Sequence, residues 1–369
     1  MIFLNYEEKA REEGIKLSRK LRDLGLYKEV SDPDISIEYG KISYGYGYSI
    51  KAIEKFLGYY DPKYHIPYNP SISFRTDFAL CEVCCMPVKG MARDHIIFNG
   101  EYIERYQERG ERALDIFRDL TGTEARFLFY VKMSRKYDKA KGLSESAAVA
   151  SAVSMALLRN VMNHEPQEEQ ISRFAKLVSG SGTRSSIDGF SYWQAFPGMP
   201  ENESYAFKIP VDYSDFYFAA FPQFVSIETS DLHSLVKESP LFQQWVLLKY
   251  PDINHLIDDS FPINDMMIRA MQEMVSLANV AKSVGKEIHN DMTLTVIEKV
   301  LSFRKRGLNL SVTTDTGPSA IVMSSDRSLL EEFVSEVPLP HLMGRIPDNT
   351  EPSTKSSMIK EFIEIGMKQ

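Results

Sequence analysis

The stretch Gly142-Leu-Ser-Glu-Ser-Ala-Ala148 opens an alanine-rich segment that continues to Leu158. Glycine and serine at the start of a helix leave backbone N–H groups facing outward at the positive end of the dipole, a physical recipe for holding a phosphate. Small residues spaced along a helix also make a close-packing face, and at this point both readings stand. Cys81, Cys84 and Cys85 form a second cluster of chemically able side chains. Their spacing begins a Cys-x-x-Cys pattern without a second pair, whereas zinc wants four ligands, or three and an open position. The segment Phe78–Val88 is read as a buried strand whose thiols act as small hydrophobes, with no metal.

The chain that must position these residues has 369 residues, enough for two domains with a substantial core. Its 43% apolar, 25% charged and 11% aromatic content is that of a folded protein rather than a disordered tail, a collagen or a coiled coil. With 51 acidic against 43 basic side chains and a net charge of -8, no basic stripe offers itself to nucleic acid. Three cysteines cannot build a disulfide framework, and no apolar run is long enough for a membrane span. A cytoplasmic protein, bound to neither membrane nor nucleic acid, is expected.

Apolar spacing predicts an amphipathic helix over residues 6–24, ended by Asp32-Pro33. Strand-like character follows at 35–44, 72–88, 95–98 and 125–133, with helices at 49–57, 102–120, 145–161 and 168–178. A loop over 134–142 leads into the alanine-rich helix. Beyond the turn-rich Pro197–Ser204, strands are predicted at 205–209, 221–227, 309–314 and 319–323, and helices at 232–247, 263–283, 287–304, 326–335 and 355–366. Strands and helices mix without strict βαβ alternation, so the fold class is α+β.

Four segments in order resemble the diphosphomevalonate decarboxylase branch of the GHMP small-molecule kinase superfamily. Gly142–Ala148 resembles the superfamily's phosphate loop. Ser179-Gly-Ser-Gly-Thr-Arg-Ser-Ser-Ile-Asp-Gly-Phe-Ser-Tyr-Trp193 is similar to the branch's Gly-Ser-Gly-Ser-x-x-Arg-Ser…Gly-Phe-x-x-Trp. Val312-Thr-Thr-Asp-Thr-Gly-Pro-Ser-Ala320 resembles Thr-x-Asp-Ala-Gly-Pro-Asn-Ala. Lys51-Ala-Ile-Glu-Lys-Phe-Leu-Gly58 with Ile66-Pro-Tyr-Asn-Pro-Ser-Ile-Ser73 resembles Ile-Ala-x-x-Lys-Tyr-Trp-Gly-Lys…Leu-Pro-x-Asn-x-Ser-x-Ser. The matches span residues 45–325; the first 44 residues have no counterpart, and covering a vacant nucleotide cleft is the simplest role for their helix.

The resemblance implies a GHMP-type two-domain fold: a ribosomal protein S5 domain 2-like unit over 1–200 and a ferredoxin-like unit over 201–369, the site lying between them. It implies Lys55, Arg184 and Asp315 as catalytic residues, with Asn69, Ser71, Ser181, Thr183 and Tyr59 binding substrate. Arg184 would fork onto a substrate anion, Lys55 would neutralise a departing phosphate, and Asp315 would remove a proton or stabilise positive charge. Singly, each has a plain alternative: a solvated helix face for Lys55, an ion pair for Arg184, a turn for Asp315.

Two departures narrow the activity. Glu145 stands where the kinase loop carries serine, and an ionised carboxylate about 4 Å from a triphosphate costs on the order of 4 kcal/mol per unit charge before screening. The same carboxylate favours an empty helix start by about 0.3–1 kcal/mol, so Gly142, Ser144, Glu145 and Ser146 read as a vestigial nucleotide loop. Tyr59 replaces a lysine that in relatives helps hold a diphosphate, and Leu57 replaces a tryptophan; Lys63, His65 and Arg75 are nearby candidates for the terminal phosphate. The combination implies an ATP-independent, cofactor-free decarboxylation of mevalonate 3,5-bisphosphate to isopentenyl phosphate, in a homodimer. The alternatives are an ATP-using diphosphomevalonate decarboxylase or mevalonate 3-kinase, and a non-catalytic binding protein on the same fold.

Overall fold

A computed structural model describes residues 5–138, 140, 142–224 and 229–366. The helices are α1 (Tyr6–Asp23), α2 (Glu104–Thr121), α3 (Glu145–Val161), α4 (Glu168–Val178), the single turn α5 (Gly182–Ser185), α6 (Thr229–Leu235), α7 (Phe242–Asp258), α8 (Ile263–Ser283), α9 (Asp291–Lys305), α10 (Arg327–Glu336) and α11 (Lys355–Gly366). The strands are β1 (Ser43–Glu54), β2 (Tyr59–Asp61), β3 (Ile66–Pro67), β4 (Ser71–Pro87), β5 (His95–Phe98), β6 (Glu101–Tyr102), β7 (Phe127–Arg135), β8 (Phe190–Trp193), β9 (Ala206–Lys208), β10 (Tyr217–Phe221), β11 (Leu310–Thr314), β12 (Ala320–Ser324) and β13 (Leu342–Gly344).

The long strand β4 organises the first sheet. It runs antiparallel to β1 from Ser43 opposite Cys85 to Glu54 opposite Ile72, and pairs with β8 and β7 in turn along its other edge. Residues 49–57, expected as a helix, are therefore mostly strand. The cause is tertiary: Tyr44, Tyr46 and Tyr48 alternate with Gly45 and Gly47, and α3 lies directly on the glycines. A Cβ on Gly45 would stand 2.3 Å from the Ala152 carbonyl, and one on Gly47 2.3 Å from that of Ala148. The alanine face of α3 is thus a packing face, and the register of β1 overrides local propensity. Cys81, Cys84 and Cys85 are buried free thiols in β4.

The second sheet, ordered β11-β12-β10-β13, is antiparallel, and α8, α9 and α10 pack against it. Its strand β10 precedes the segment expected at 221–227, and residues 225–228 lie outside the described residues. The helix expected over 232–247 is broken between α6 and α7, where Ser239 is extended at ψ 128° before Pro240, as a residue preceding proline must be. No helix among the described residues is long and apolar enough to cross a membrane.

Helix α1 is capped by an Asn5–Glu8 capping box and buries Ala10, Leu17 and Leu21. It packs against α7 through Lys20, which donates to Asn254 Oδ1 at 2.8 Å, and against Phe196 through Gly14. The face of α1 that is buried thus lies on α7 and on the β8–β9 connection.

At the junction of the two sheets, Glu54 at the end of β1 meets Lys249 of α7 at 2.7 Å, and Arg269 of α8. Lys249 also pairs with Glu273 of α8, and Arg269 with Asp252 at 2.8 Å. Glu54, Lys249 and Glu273 are buried.

Candidate active site

Four segments converge: the end of β1, the loop entering α3, the turn α5, and the β11–β12 connection. Lys55, one residue beyond β1, forms an ion pair with Asp315, and both are buried. Asp315 Oδ1 also accepts from the Thr316 backbone N–H at 3.1 Å, and Oδ2 from Ser144 Oγ at 2.9 Å. Ser144 begins α3 with φ 54° and, in place of capping its own helix, turns its hydroxyl to Asp315. Gly142 has φ 86°, and a Cβ there would lie 3.2 Å from Gly317. The loop that resembles a phosphate cradle therefore rests on the turn that carries the candidate aspartate.

Arg184 is 1% exposed, and its Nε and Nη1 have no hydrogen-bond partner among the described residues. Its guanidinium lies 5.2 Å from the centre of the Phe56 ring, and Phe56 packs edge-on against Trp193. Burial pulls the Arg184 pKa down to about 9. Burial, then the charges of Arg184 and Lys51, push the Lys55 ammonium well below the ordinary lysine range, against the opposing pull of the Glu273 carboxylate. Lys51, also buried, falls to about 7 through desolvation. Basic groups buried at this cost around the carboxylate of Asp315 form a cluster whose electrostatics favour an anionic ligand.

Along β4, Ser71 Oγ, Ser73 Oγ and the Oδ1 of nearby Asn69 are likewise buried without a partner among the described residues. Asn69 spends its amide group on the carbonyls of Lys55 and Pro70, so it holds the Lys55 backbone while leaving an acceptor free. Ser181 shares hydroxyl contacts with Ser179 at 3.1 Å and Ser146 at 3.5 Å. The Thr183 hydroxyl donates to the Gly180 carbonyl at 2.7 Å and is buried within the turn.

Tyr59 lies between two imidazoles, stacked on His233 at 5.1 Å and tilted against His65 at 4.8 Å. Burial raises its phenol to about 12, so it remains a neutral donor. His233 Nδ1 accepts from the Gly58 N–H at 3.0 Å, which puts the proton of the neutral ring on Nε2. Burial and the charges of Lys55, His65 and Arg184 lower His233 to about 3, keeping it neutral. His233, 175 residues from its partner, has no local signal in the sequence. Of the other candidates for the terminal phosphate, only His65 joins this group. Arg75 is spent on the Ser185 carbonyl and Asn349 Oδ1, and Lys63 is an exposed partner of Asp119.

Glu145 is engaged. Its Oε2 accepts from Arg135 at 2.7 Å and its Oε1 from the Tyr137 hydroxyl at 2.8 Å. The first turn of α3 thus carries its own carboxylate, clamped by two side chains from the strand and loop before it.

The chain matches the model of the diphosphomevalonate decarboxylase-like N-terminal domain over residues 48–206. It is 39% identical over 353 residues to a curated mevalonate 3,5-bisphosphate decarboxylase of Thermoplasma volcanium, covering 95% of each chain. The chain belongs to the diphosphomevalonate decarboxylase-like family. A second relative, the mevalonate 3,5-bisphosphate decarboxylase of Thermoplasma acidophilum, is 38% identical over 88% of this chain and 80% of its own. The solved mevalonate diphosphate decarboxylase of Staphylococcus aureus superposes with a TM-score of 0.72 at 20% identity, over 83% of this chain and 96% of that one. The α+β architecture is accordingly the GHMP-type fold of this family, as the resemblance implied.

Proposed function

We propose that the chain decarboxylates mevalonate 3,5-bisphosphate to isopentenyl phosphate, carbon dioxide and inorganic phosphate without ATP. The C3–O bond breaks with its electrons leaving on phosphate, and the C1–C2 electrons close the C2=C3 double bond as CO2 departs. In this reading Arg184, with two free donors, forks onto the substrate carboxylate. Lys55 faces the departing phosphate, Asp315 compensates the positive charge growing at C3, and Asn69, Ser71 and Ser181 line the substrate. The Tyr59 hydroxyl and the Nε2–H of His233 offer neutral donors to the 5-phosphate, while His65, whose Nδ1–H goes to the Lys176 carbonyl, packs against Tyr59.

The observation that carries the ATP-independent reading is the clamped Glu145. A substrate that arrives with its leaving phosphate attached needs no nucleotide, and a helix start already supplied with a carboxylate has no use for a triphosphate. Purified protein given mevalonate 3,5-bisphosphate is expected to release phosphate and CO2 equally with and without Mg-ATP, and in EDTA. Product formed from mevalonate diphosphate, and only with Mg-ATP, would show an ATP-using sibling; ligand binding without turnover would show a binding protein.

Glu145→Ser is expected to leave decarboxylation within about threefold, and to lower stability by no more than about 1 kcal/mol because the Arg135 pair is partly exposed. Thermal unfolding and steady-state rates check both, and a collapse in rate would give Glu145 a direct duty.

The two-domain division belongs to the same proposal. It is supported by the separation of the seven-stranded from the four-stranded sheet, and the pairing of β9 with β8 argues for a boundary somewhat later than residue 200. A cytoplasmic homodimer completes it, supported by cysteines kept as buried thiols and by the assembly expected from the family resemblance.

A further inference from the structure

Lys51 takes no part in the roles assigned above. It projects from the middle of β1, is fully buried, and donates to the Gly142 carbonyl at 3.3 Å, its one hydrogen bond among the described residues. No carboxylate there pairs with it, unlike the other buried lysines: Lys55 has Asp315, Lys176 has Glu201 at 3.0 Å, and Lys249 has Glu54 and Glu273. An ammonium carries three donors and is expensive to bury with one neutral acceptor. The motif that residues 51–58 resemble places isoleucine here, a side chain that a strand between β4 and α3 would accommodate without cost. The lysine therefore calls for an anion that arrives from outside.

The surroundings say which anion. Lys51 reaches the loop leading to Ser144, which is itself tied to Asp315, and lies close enough to Lys55 to depress its pKa. It also acts on His289, whose Nε2 is 2.8 Å from Thr314 Oγ1 beside Asp315. Lys55 shares its charge with Asp315, so Lys51 is the cation without a carboxylate that can meet further charge arriving at that edge. We infer that Lys51 is a second phosphate-binding lysine of the site: its Nζ, beside Lys55, receives the 3-phosphate and holds it as it leaves as inorganic phosphate. The inference rests on the proposed reaction and adds to it a second receptor for the leaving group.

The test compares the parent with Lys51→Met, using inorganic phosphate as a competitive inhibitor, mevalonate 3,5-bisphosphate as substrate and mevalonate 5-phosphate as a ligand lacking the 3-phosphate. Losing one charge-assisted contact is expected to raise the phosphate inhibition constant and the KM for the bisphosphate about tenfold. Binding of mevalonate 5-phosphate should stay within about twofold of the parent, and Lys51→Arg should recover part of the loss. Unchanged phosphate inhibition, or an equal loss with mevalonate 5-phosphate, would overturn the inference. Should the methionine variant fail to fold, Lys51→Gln, which keeps a donor for Gly142, carries the same comparison. A parent enzyme active only with Mg-ATP would sink the proposed reaction instead, a result read without any variant.

Discussion

Asp315→Asn is expected to lower kcat for decarboxylation by about a hundredfold to a thousandfold, with KM changed much less. The amide keeps the shape of the carboxylate and can still accept from the Thr316 N–H or the Ser144 hydroxyl, so the loop between β11 and β12 has no reason to move. What disappears is the charge. In the ground state that charge holds Lys55, and as the C3–O bond stretches it compensates the carbon that turns positive. Because the second interaction exists only near the transition state, its loss falls on kcat rather than on substrate binding. Steady-state rates of phosphate release, with thermal unfolding as a control, check this. A kcat within threefold of the parent would remove Asp315 from the reaction.

Arg184→Ala is expected to cost tenfold to a hundredfold or more in kcat/KM, with KM bearing a large share. The guanidinium is buried on Phe56 with two donors unpaired, so it lacks an internal structural partner that a substitution would strand. A charge-assisted contact of about 1.5–3 kcal/mol to the substrate carboxylate is what truncation removes. Arg184→Lys should recover little, because a single ammonium cannot reproduce a planar fork. Unfolding temperature is the control, since relieving an unpaired buried cation should leave stability equal or higher. Unchanged kcat/KM would end its assignment to the site.

Most of the helices were legible because their signals are local. The ends of α3, α4, α8 and α11 fall where apolar spacing and breakers put them. The second half of β1, from residue 49, reads locally as helix because what decides the strand, the approach of α3 onto Gly45 and Gly47, comes from about a hundred residues away. The same limit governed the site. Lys55, Arg184 and Asp315 sit in motifs with their own spacing, and Asn69 and Ser71 follow one of them. Lys51 lies inside one of these motifs, but a lysine at a strand position looks solvated until its burial is known. His233 and Arg135 could not be found at all, since each acquires meaning only from the residue it touches across the fold.

The charged knot of Glu54, Lys249, Arg269 and Glu273 has a consequence for assembly. Hydrocarbon surfaces tolerate sliding by a fraction of a side chain, but a carboxylate stranded in them costs several kcal/mol. A docking of α7 and α8 onto β1 displaced by one helical turn would strand Glu54, so misaligned arrangements penalise themselves. Glu54 is the immediate neighbour of Lys55 along the backbone. Any molecule that completes its folding therefore presents that lysine at one fixed height along the cleft, an indexing pin cut from opposite charges.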